Sequence, residues 1–355
     1  MGTLELLRAL AARDELDLVA LAHREPVVAP ELRELGIAVE WEPTPLGVIW
    51  QQTRLPRRLA RGDVDLFWSP LLTLPSRLPV PGVVTLHDLA VLKVPETLPL
   101  KVRWSILPFL DRTVELASRI VVGSEATGRE IAERYPRAAA KLRVIHHGVA
   151  PEFRPAASSP AVDEIRARLD APRGYFLAVG TFEPRKRLDL LLDAWELLRR
   201  DAPEAALPLL LVGPEGWKNR ALAARIESLE GEGVRRFGRL ERAALVEAYQ
   251  GATALVYPSV YEGFGLPVAE ALACGVPAVA ARAASLPEVV GAGGLLVEAD
   301  DAEALAEAMR ALALDPELRD RLGEAGRKRA AAFSWPLAAE RLSAVFAEAL
   351  AEAGA

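Results

Sequence analysis

The sequence predicts an α/β protein built from two domains, each a doubly wound parallel sheet. Short, almost continuously apolar runs alternate with helical patterns along most of the chain, which is typical of parallel strands covered on both faces. These runs form two series, separated by a proline-rich segment near residue 155. The length of 355 residues agrees with two domains of ordinary size.

The first series predicts a helix over Leu4–Ala12 followed by six strands. The strands are expected at Leu16–Ala22, Ile37–Trp41, Val64–Trp68, Val83–His87, Ile120–Gly123 and Leu142–His146. A doubly wound domain ordinarily opens with a strand and a turn before its first helix. Because the first helix begins almost at residue 1, we expect this opening strand and its loop to be missing.

The second series follows the segment Pro151–Pro160, whose three prolines and two serines indicate an interdomain linker. Its strands are expected at Tyr175–Gly180, Leu207–Gly213, Val234–Phe237, Ala254–Pro258, Pro277–Ala280 and Leu295–Val297. A final amphipathic helix is expected over Trp335–Ala351, with Ser334 as its N-cap and Pro336 in its first turn. The predicted parts are an N-terminal domain over residues 1–155, a C-terminal domain over 156–335 and a terminal helix over 336–355.

Composition excludes several classes of protein. Hydrophobic residues make up 51% and charged residues 26%, which excludes a disordered or fibrous chain. A single cysteine, Cys274, excludes a zinc site built from cysteines, and we expect no bound metal. The net charge of −6 argues against a nucleic-acid partner. No apolar run is long enough to span a membrane, so a cytoplasmic protein is expected.

The most informative stretch runs from Tyr257 to Pro277, directly after an apolar strand. Gly263 and Gly265 allow a ligand to approach the backbone, and Pro267 suits the first turn of a helix. The N–H groups around residues 264–268 would form an anion site at that helix N-terminus. Glu262 and Glu270 could each accept hydrogen bonds from a sugar diol. Acidic residues near a helix start are also favoured by the helix dipole alone, but the pair together with the Gly-x-Gly loop favours a binding site.

A second stretch, from Tyr175 to Trp195, ends a buried strand at Gly180 and then carries three consecutive cations. Ligands of open α/β sheets bind at the carboxyl ends of strands. Arg185, Lys186 and Arg187 could therefore stabilise the negative charge of a leaving diphosphate. A solvated basic turn is the alternative interpretation.

Two features of the first domain have both a functional and a structural interpretation, and the sequence alone favours the structural one for each. His87 and Asp88 follow a buried strand and could orient a substrate hydroxyl, although a lone histidine is more often structural. Four arginines cluster in one short segment, at positions 54, 57, 58 and 61. They could bind anionic lipid or a lipid-linked acceptor, which would make the protein peripheral at the inner face of the membrane, or they could form a solvated helix face.

With these residues in view, the chain resembles the retaining glycosyltransferases of family 4, which have the GT-B fold of two Rossmann-like domains facing a central cleft. Residues 262–270 are similar to the E-x7-E motif of that family. Residues 180–186 are similar to its phosphate-binding turn, in the EPRK variant common among mannosyltransferase-like members. Residues 86–88 are similar to the histidine motif of its N-terminal domain, and the resemblance extends over nearly the whole chain.

The resemblance implies a role for each matching residue. Lys186 and Arg185 would contact the diphosphate of a nucleotide-sugar donor, and Glu262 would hold hydroxyls of the donor sugar near the reacting centre. Glu270 would bind the ribose hydroxyls, and His87 would reach the donor sugar from the N-terminal domain. The other donor-binding positions implied are Gly180, Thr181, Gly263, Phe264, Gly265 and Leu266. Thr181 stands where many members have arginine, and we expect Arg185 to substitute for it.

The function expected from this resemblance is that of a hexosyltransferase in glycan or glycolipid synthesis. It would transfer a sugar, with mannose favoured, from a GDP- or UDP-sugar to a glycan or lipid-linked hydroxyl, with retained configuration and without a cofactor. The alternative is a non-catalytic or truncated GT-B protein that only binds a sugar nucleotide. An NAD-dependent oxidoreductase is disfavoured, because no strand is followed by a complete Gly-x-Gly-x-x-Gly.

Overall fold

A computed structural model describes residues 2–354, which divide into two compact units. The N-terminal unit comprises the chain up to Gly148 together with the chain from Ser334 onward. The C-terminal unit is Val149–Phe333. Each unit has its own hydrophobic core.

The first boundary lies at Gly148, seven residues earlier than the end predicted at residue 155. Ala150 and Phe153 are buried in the core of the C-terminal unit. Ser158 caps the helix that begins at Ser159, with its side chain accepting a hydrogen bond from the backbone. The proline-rich segment is therefore not a free linker, because its apolar side chains and its last residues already belong to the second unit. The second boundary precedes Ser334, the cap of the terminal helix.

The N-terminal unit alternates helices and strands from its start. Its helices are α1 (Gly2–Ala11), α2 (Ala29–Glu34), α3 (Gly47–Thr53), α4 (Leu55–Leu59), α5 (Ala90–Lys93), α6 (Leu100–Leu116) and α7 (Glu125–Arg134). Its strands are β1 (Val19–Ala22), β2 (Ala38–Trp41), β3 (Phe67–Ser69), β4 (Gly82–Leu86), β5 (Arg119–Val122) and β6 (Leu142–Val144). All six predicted strands are present, with ends that differ by up to three residues.

The strands of the N-terminal unit form two parallel sheets rather than one. β1 pairs with β2, and β3, β4, β5 and β6 pair in that order. Every residue of β4 is buried, and Leu86 lies in a core with Leu110 of α6 and Ile120 of β5. This pattern of burial explains why the sequence of β4 is apolar except for Thr85.

The C-terminal unit contains the second series of elements. Its helices are α8 (Ser159–Arg168), α9 (Leu188–Asp201), α10 (Arg220–Leu229), α11 (Arg242–Gln250), α12 (Leu266–Ala273), α13 (Leu286–Val290), α14 (Ala302–Leu314) and α15 (Pro316–Ala330). Its strands are β7 (Phe176–Val179), β8 (Leu209–Val212), β9 (Val234–Phe237), β10 (Ala254–Tyr257), β11 (Ala278–Ala281) and β12 (Gly294–Val297).

These six strands form one parallel sheet in the order β12-β11-β10-β7-β8-β9. Apolar clusters cover both faces: Phe176 of β7 packs in one and Leu177 in the other. After β7, the chain adds β8 and then β9 on one side of β7. It then crosses to the other side of β7, where β10, β11 and β12 are added in turn. The order therefore reverses between β7 and β10, which is where doubly wound sheets bind their ligands.

The chain closes with α16 (Trp335–Ala353), which belongs to the N-terminal unit. Ser334 accepts a hydrogen bond from the backbone N–H of Leu337, as its predicted role of N-cap requires. The apolar side of the helix packs on α1, β4 and β5. Arg119 of β5 and Arg143 of β6 both bind Glu348 on this helix, at 2.9 and 2.6 Å.

Candidate functional site

The carboxyl ends of β7 and β10 bring together the two stretches that the sequence singled out. Gly180 follows β7, and its carbonyl oxygen would lie only 2.0 Å from a Cβ atom built on Gly213. Gly213 also has a φ of +150°, so only glycine fits between these loops without strain. The turn after β7 is thus held against the loop after β8, and Lys186 lies directly over Gly180.

The cations predicted to act together point in two directions. Residues 184–186 form a single 3₁₀ turn, and Arg187 then adopts a left-handed conformation with a φ of +49° before α9 begins. This reversal directs Arg185 and Lys186 towards the loop after β10. Arg187 instead forms ion pairs with Asp189 and Asp300.

Glu262 is the centre of the polar cluster at this edge. Lys186 Nζ donates to Glu262 Oε1 at 2.5 Å, and Arg185 Nη1 donates to Oε2 at 3.0 Å. Tyr257, the last residue of β10, and Ser259 also donate to Oε1, at 3.1 and 2.7 Å. Both carboxylate oxygens are therefore engaged, and the side chain is only 7% exposed.

Two cations set the charge of this carboxylate. Burial alone would raise the pKa of Glu262, but Lys186 and Arg185 outweigh it and hold the pKa at about 2. Burial lowers the pKa of Lys186, and the attraction of Glu262 opposes that effect. Glu262 is therefore ionised at neutral pH, and its carboxylate fixes Arg185 and Lys186 in place before any ligand arrives.

Glu183 completes the cluster and was missed by the sequence interpretation. Its buried carboxylate accepts a hydrogen bond from Arg185 Nε at 2.6 Å. Arg185 also donates to the carbonyl oxygen of Tyr261 at 3.0 Å, so its guanidinium is fixed on two sides. Tyr257, whose hydroxyl accepts from Lys186 Nζ at 2.6 Å, was missed as well. The sequence did contain a signal for both residues. Tyr257 ends one buried strand and Glu183 follows another, and the carboxyl ends of such strands form the ligand-binding edge of the sheet.

Glu270 lies outside this cluster, one turn into α12. Tyr249 donates its hydroxyl hydrogen to Glu270 Oε2 at 2.8 Å. Burial raises the pKa of Glu270 to about 7, because the hydrogen bond from Tyr249 and the charge of Arg242 oppose it only in part. The two glutamates of the motif therefore occupy electrostatically different environments.

The N-terminus of α12 differs in detail from the prediction. Gly265 adopts a left-handed conformation with a φ of +102° and precedes the first helical residue. Pro267 has no N–H, and the N–H of Val268 donates to the carbonyl oxygen of Gly265 at 3.0 Å. The amides of this turn that have no acceptor among residues 2–354 are therefore those of Gly265 and Leu266, a narrower set than the predicted 264–268.

The remaining candidate donor residues lie around these groups. A shallow pocket beside Lys186 is lined by Gly180, Thr181, Phe182 and Tyr257, among others. Gly263 and Phe264 are buried in the loop before α12. Ser285 Oγ lies 2.8 Å from the carbonyl oxygen of Phe264 and 2.9 Å from that of Glu262, which secures this loop.

His87 and the arginine cluster belong to the N-terminal unit. His87 follows β4, and its Nε2 lies 2.8 Å from the carbonyl oxygen of Pro70. Its ring centroid is 5.6 Å from that of His147, whose pKa burial lowers to about 3. In the cluster, Arg58 binds Glu40 and Asp63, and Arg54 lies 3.4 Å from Glu42. Half of the predicted basic surface is therefore already compensated by carboxylates.

Two other types of site are absent from the described part of the chain. Within residues 2–354, no group of three or more His, Cys, Asp or Glu side chains could hold a metal ion. None of the helices in this part of the chain is sufficiently long and apolar to cross a membrane.

Family models match both units of the chain. Residues 2–153 match the model described as glycosyltransferase family 4, and residues 162–329 match the model of glycosyl transferases group 1. O-antigen chain mannosyltransferase B of Escherichia coli is 32% identical over 286 residues, which cover 79% of this chain and 74% of that protein. D-inositol 3-phosphate glycosyltransferase of Kineococcus radiotolerans is 35% identical over 264 residues, covering 69% of this chain and 60% of that protein. The chain thus spans less than two thirds of the length of the second relative.

Solved structures share the fold over almost the whole chain. The structure of Anabaena HepE in complex with UDP and glucose superposes with a TM-score of 0.77 at 19% identity, covering 98% of this chain and 95% of that chain. Sucrose-phosphate synthase from Thermosynechococcus elongatus gives a TM-score of 0.76 at 25% identity, covering 98% and 92%. These likenesses confirm the predicted fold class, two Rossmann-like domains with parallel sheets.

Proposed function

The chain belongs to the group 1 glycosyl transferases of glycosyltransferase family 4, enzymes of the hexosyltransferase type, and on that premise we propose that it transfers a sugar from a nucleoside diphosphate sugar to an acceptor hydroxyl with retention of configuration. The observation that carries this proposal is the pair of cations fixed at the point where the strand order reverses. Lys186 and Arg185 are held there by a buried carboxylate rather than dispersed in solvent.

A diphosphate is the ligand that suits this arrangement. Lys186 and Arg185 supply positive charge, and the amides of Gly265 and Leu266 precede the positive end of the α12 dipole. Arg185 and Lys186 are rigidly placed, so they need little reorganisation as charge builds on a leaving group. Lys186 and Arg185 thus supply the positive charge that a metal ion supplies in other phosphate sites, and we propose that no metal is required.

The proposed step breaks the bond between the anomeric carbon and the diphosphate oxygen, whose electron pair leaves with the diphosphate. The acceptor oxygen bonds to the same face of the sugar, and its proton passes to the departing phosphate oxygen. Glu262 does not act as a nucleophile in this scheme, because both of its oxygens already accept hydrogen bonds. It orients the two cations and, through Oε2, accepts a hydrogen bond from a hydroxyl of the donor sugar.

Glu270 is proposed to accept hydrogen bonds from the ribose hydroxyls of the nucleotide. Its carboxyl group already accepts a hydrogen bond from one hydroxyl, that of Tyr249. The first donors to test follow from the relatives: GDP-mannose, because the Escherichia coli relative is by name a mannosyltransferase, and UDP-glucose, because HepE was solved with UDP and glucose. The acceptor is proposed to be a hydroxyl of a glycan or of a lipid-linked sugar.

The test is release of nucleoside diphosphate from a panel of GDP-, UDP- and ADP-sugars, with the anomeric configuration of the product determined by NMR. Lys186→Ala should lower kcat by about 100-fold or more, because it removes charge next to the leaving group. Arg187→Gln is the matched control, since Arg187 neighbours Lys186 but binds Asp189 and Asp300. It should change kcat by less than about twofold. EDTA should leave turnover unchanged.

Two results would contradict the proposal. An inverted product would exclude the same-face step, and full turnover in Lys186→Ala would remove that residue from the machinery. Tight nucleotide binding without release from any donor would instead support a protein that only binds a sugar nucleotide. Thermal unfolding of each variant distinguishes a lost function from a lost fold.

A further inference from the structure

Tyr249 of α11 holds one carboxylate oxygen of Glu270. The tyrosine is fully buried, and its hydroxyl donates to Glu270 Oε2 at 2.8 Å. Burial raises the pKa of this hydroxyl well above its ordinary value, so it keeps its proton and remains a hydrogen-bond donor at neutral pH. The hydrogen bond therefore fixes Oε2 in one place.

The other carboxylate oxygen of Glu270 is open to a ligand. Among residues 2–354, Oε1 has no hydrogen-bond partner. The only buried side-chain nitrogen or oxygen without a partner in that range is Arg103 Nε, so Oε1 must be accessible to solvent. An accessible carboxylate oxygen can accept a hydrogen bond from a ligand hydroxyl.

The ring of Tyr249 is held in place as well as its hydroxyl. Its centroid lies 5.8 Å from that of Phe153 at an interplanar angle of 75°, which is an edge-to-face contact. The guanidinium of Arg242 lies 5.9 Å from the Phe153 ring and pairs with Glu152 at 2.9 Å. Tyr249 therefore cannot turn away from Glu270 without disturbing the packing of the segment that was predicted to be a linker.

Glu270 also lies at a suitable distance from the start of α12. It follows Leu266 by four residues, so the two lie on the same side of the helix, about 6 Å apart along its axis. In the proposed function, the amides of Gly265 and Leu266 bind the diphosphate. The ribose is joined to that diphosphate through a single methylene group, so its hydroxyls are the first that Glu270 can meet.

Resting on the proposed function, we propose that Tyr249 is a positioning residue of the nucleotide site, which fixes Oε2 of Glu270 so that Oε1 accepts a hydrogen bond from a ribose hydroxyl. Tyr249 acts through Glu270 and not on the ligand itself, because no part of it is exposed. A glutamate side chain fixed in advance has less conformational entropy to lose when the ligand binds. The protein therefore binds ribonucleotides in preference to deoxyribonucleotides, and this preference depends on the Tyr249 hydroxyl.

The experiment is calorimetric titration of the full chain with GDP, UDP and ADP, and with the 2′,3′-dideoxy form of whichever binds most tightly. Tyr249→Phe should raise the Kd of the ribonucleotide by about tenfold and leave that of the dideoxy form nearly unchanged. The ratio of the two Kd values is the decisive measurement, because both ligands bind the same folded molecules even if the variant is partly unfolded. In turnover, KM for the donor should rise while kcat changes by less than about twofold, since the ribose lies away from the bond that breaks.

Tyr135→Phe is the matched control, because Tyr135 also donates to a carboxylate, Asp111 Oδ1 at 2.6 Å, but in the N-terminal unit. It should leave the ratio of Kd values as it is in the wild type. An unchanged ratio in Tyr249→Phe, even with a lower unfolding temperature, would show that Tyr249 only supports the fold and would overturn this inference alone. A wild-type chain that binds none of the three nucleotides would contradict the proposed function, and this inference with it.

Discussion

Glu262 and Glu270 belong to one motif, yet their environments move their pKa values in opposite directions. Two cations hold Glu262 ionised, with a pKa of about 2. Burial raises the pKa of Glu270 to about 7, because the hydrogen bond from Tyr249 and the charge of Arg242 only partly offset it. The first glutamate is therefore a fixed charge that orients cations, whereas the second can change its protonation near neutral pH.

The raised pKa of Glu270 predicts a pH-dependent stability. A carboxyl whose pKa is higher in the folded state than the ordinary 4.5 stabilises the fold fully below about pH 4.5. That contribution is lost as the pH rises through about 7, and amounts to roughly 3 kcal/mol at most. Glu270→Gln removes the titration, so the stability of wild type relative to this variant should fall between these pH values.

Urea unfolding of both proteins at several pH values measures this difference. Glu227→Gln, at an exposed position on α10, is the matched control and should leave the pH profile of the wild type unchanged. Parallel profiles for wild type and Glu270→Gln would show that the carboxyl group ionises in the folded protein as easily as in the unfolded one.

The sequence could indicate which residues approach the site but not all of their partners. Lys186, Arg185 and Glu262 were predicted at the edge of the sheet because each follows a buried strand, and the structure brings these three into contact. Glu183 and Tyr257 were not distinguished, because their importance depends on the direction of each side chain. That direction is set by the 3₁₀ turn and by the left-handed Arg187, which local composition does not reveal.

At the scale of the element, the turn after β7 depends on a glycine that follows the next strand, β8. Gly213 follows β8, and a Cβ there would lie 2.0 Å from the carbonyl oxygen of Gly180 and 2.7 Å from its carbonyl carbon. Both contacts are to backbone, so no side chain can move aside to relieve them. The turn that carries Lys186 can therefore take this position only because Gly213 has no side chain.

Gly213→Ala should lower the free energy of unfolding by about 2 kcal/mol or more, because it adds a backbone clash to an unfavourable φ. It should also weaken nucleotide binding, since Gly180 must shift. Gly231→Ala is the matched control in the same unit, where nothing lies within 4 Å of the new Cβ. Chemical denaturation and calorimetric titration check both effects; equal losses in the two variants would contradict this account.

The elements themselves were largely predictable, and their ends and pairings were less so. All twelve strands of residues 2–354 were anticipated, because parallel strands are short, largely apolar runs whose length separates them from the longer helical segments between them. The separation of β1 and β2 from the other strands of their unit was not anticipated, since pairing depends on contacts between distant segments. Contacts between distant segments also explain why Pro151–Pro160 is not a free linker, because Phe153 is buried by residues far along the chain.

At the scale of the whole molecule, the last helix completes a unit that the chain left almost two hundred residues earlier. Phe346 of α16 is 7% exposed, and its ring centroid lies 6.0 Å from that of Trp68 in β3. Gly148 packs so tightly against Trp335 that a Cβ there would lie 2.2 Å from the backbone nitrogen of Trp335. The N-terminal unit therefore depends on packing with a segment that follows the whole C-terminal unit in the chain.

Because of this dependence, a substitution in the buried face of α16 should destabilise the strands of the N-terminal unit. Phe346→Ala should cost about 3–5 kcal/mol, as expected for a large core side chain, and amides of β4 and β5 should exchange faster with solvent. Leu350→Ala on the same helix is the control; its side chain is 40% exposed, so it should cost less than about 1 kcal/mol. Hydrogen exchange followed by mass spectrometry resolves the two units separately. The account would be contradicted if Phe346→Ala left the amides of β4 and β5 as protected as Leu350→Ala does. In that case α16 would lie on the surface of the N-terminal unit and would not be part of its core. Its burial of seven apolar side chains from Trp335 to Ala349 would then contribute little to that unit's stability.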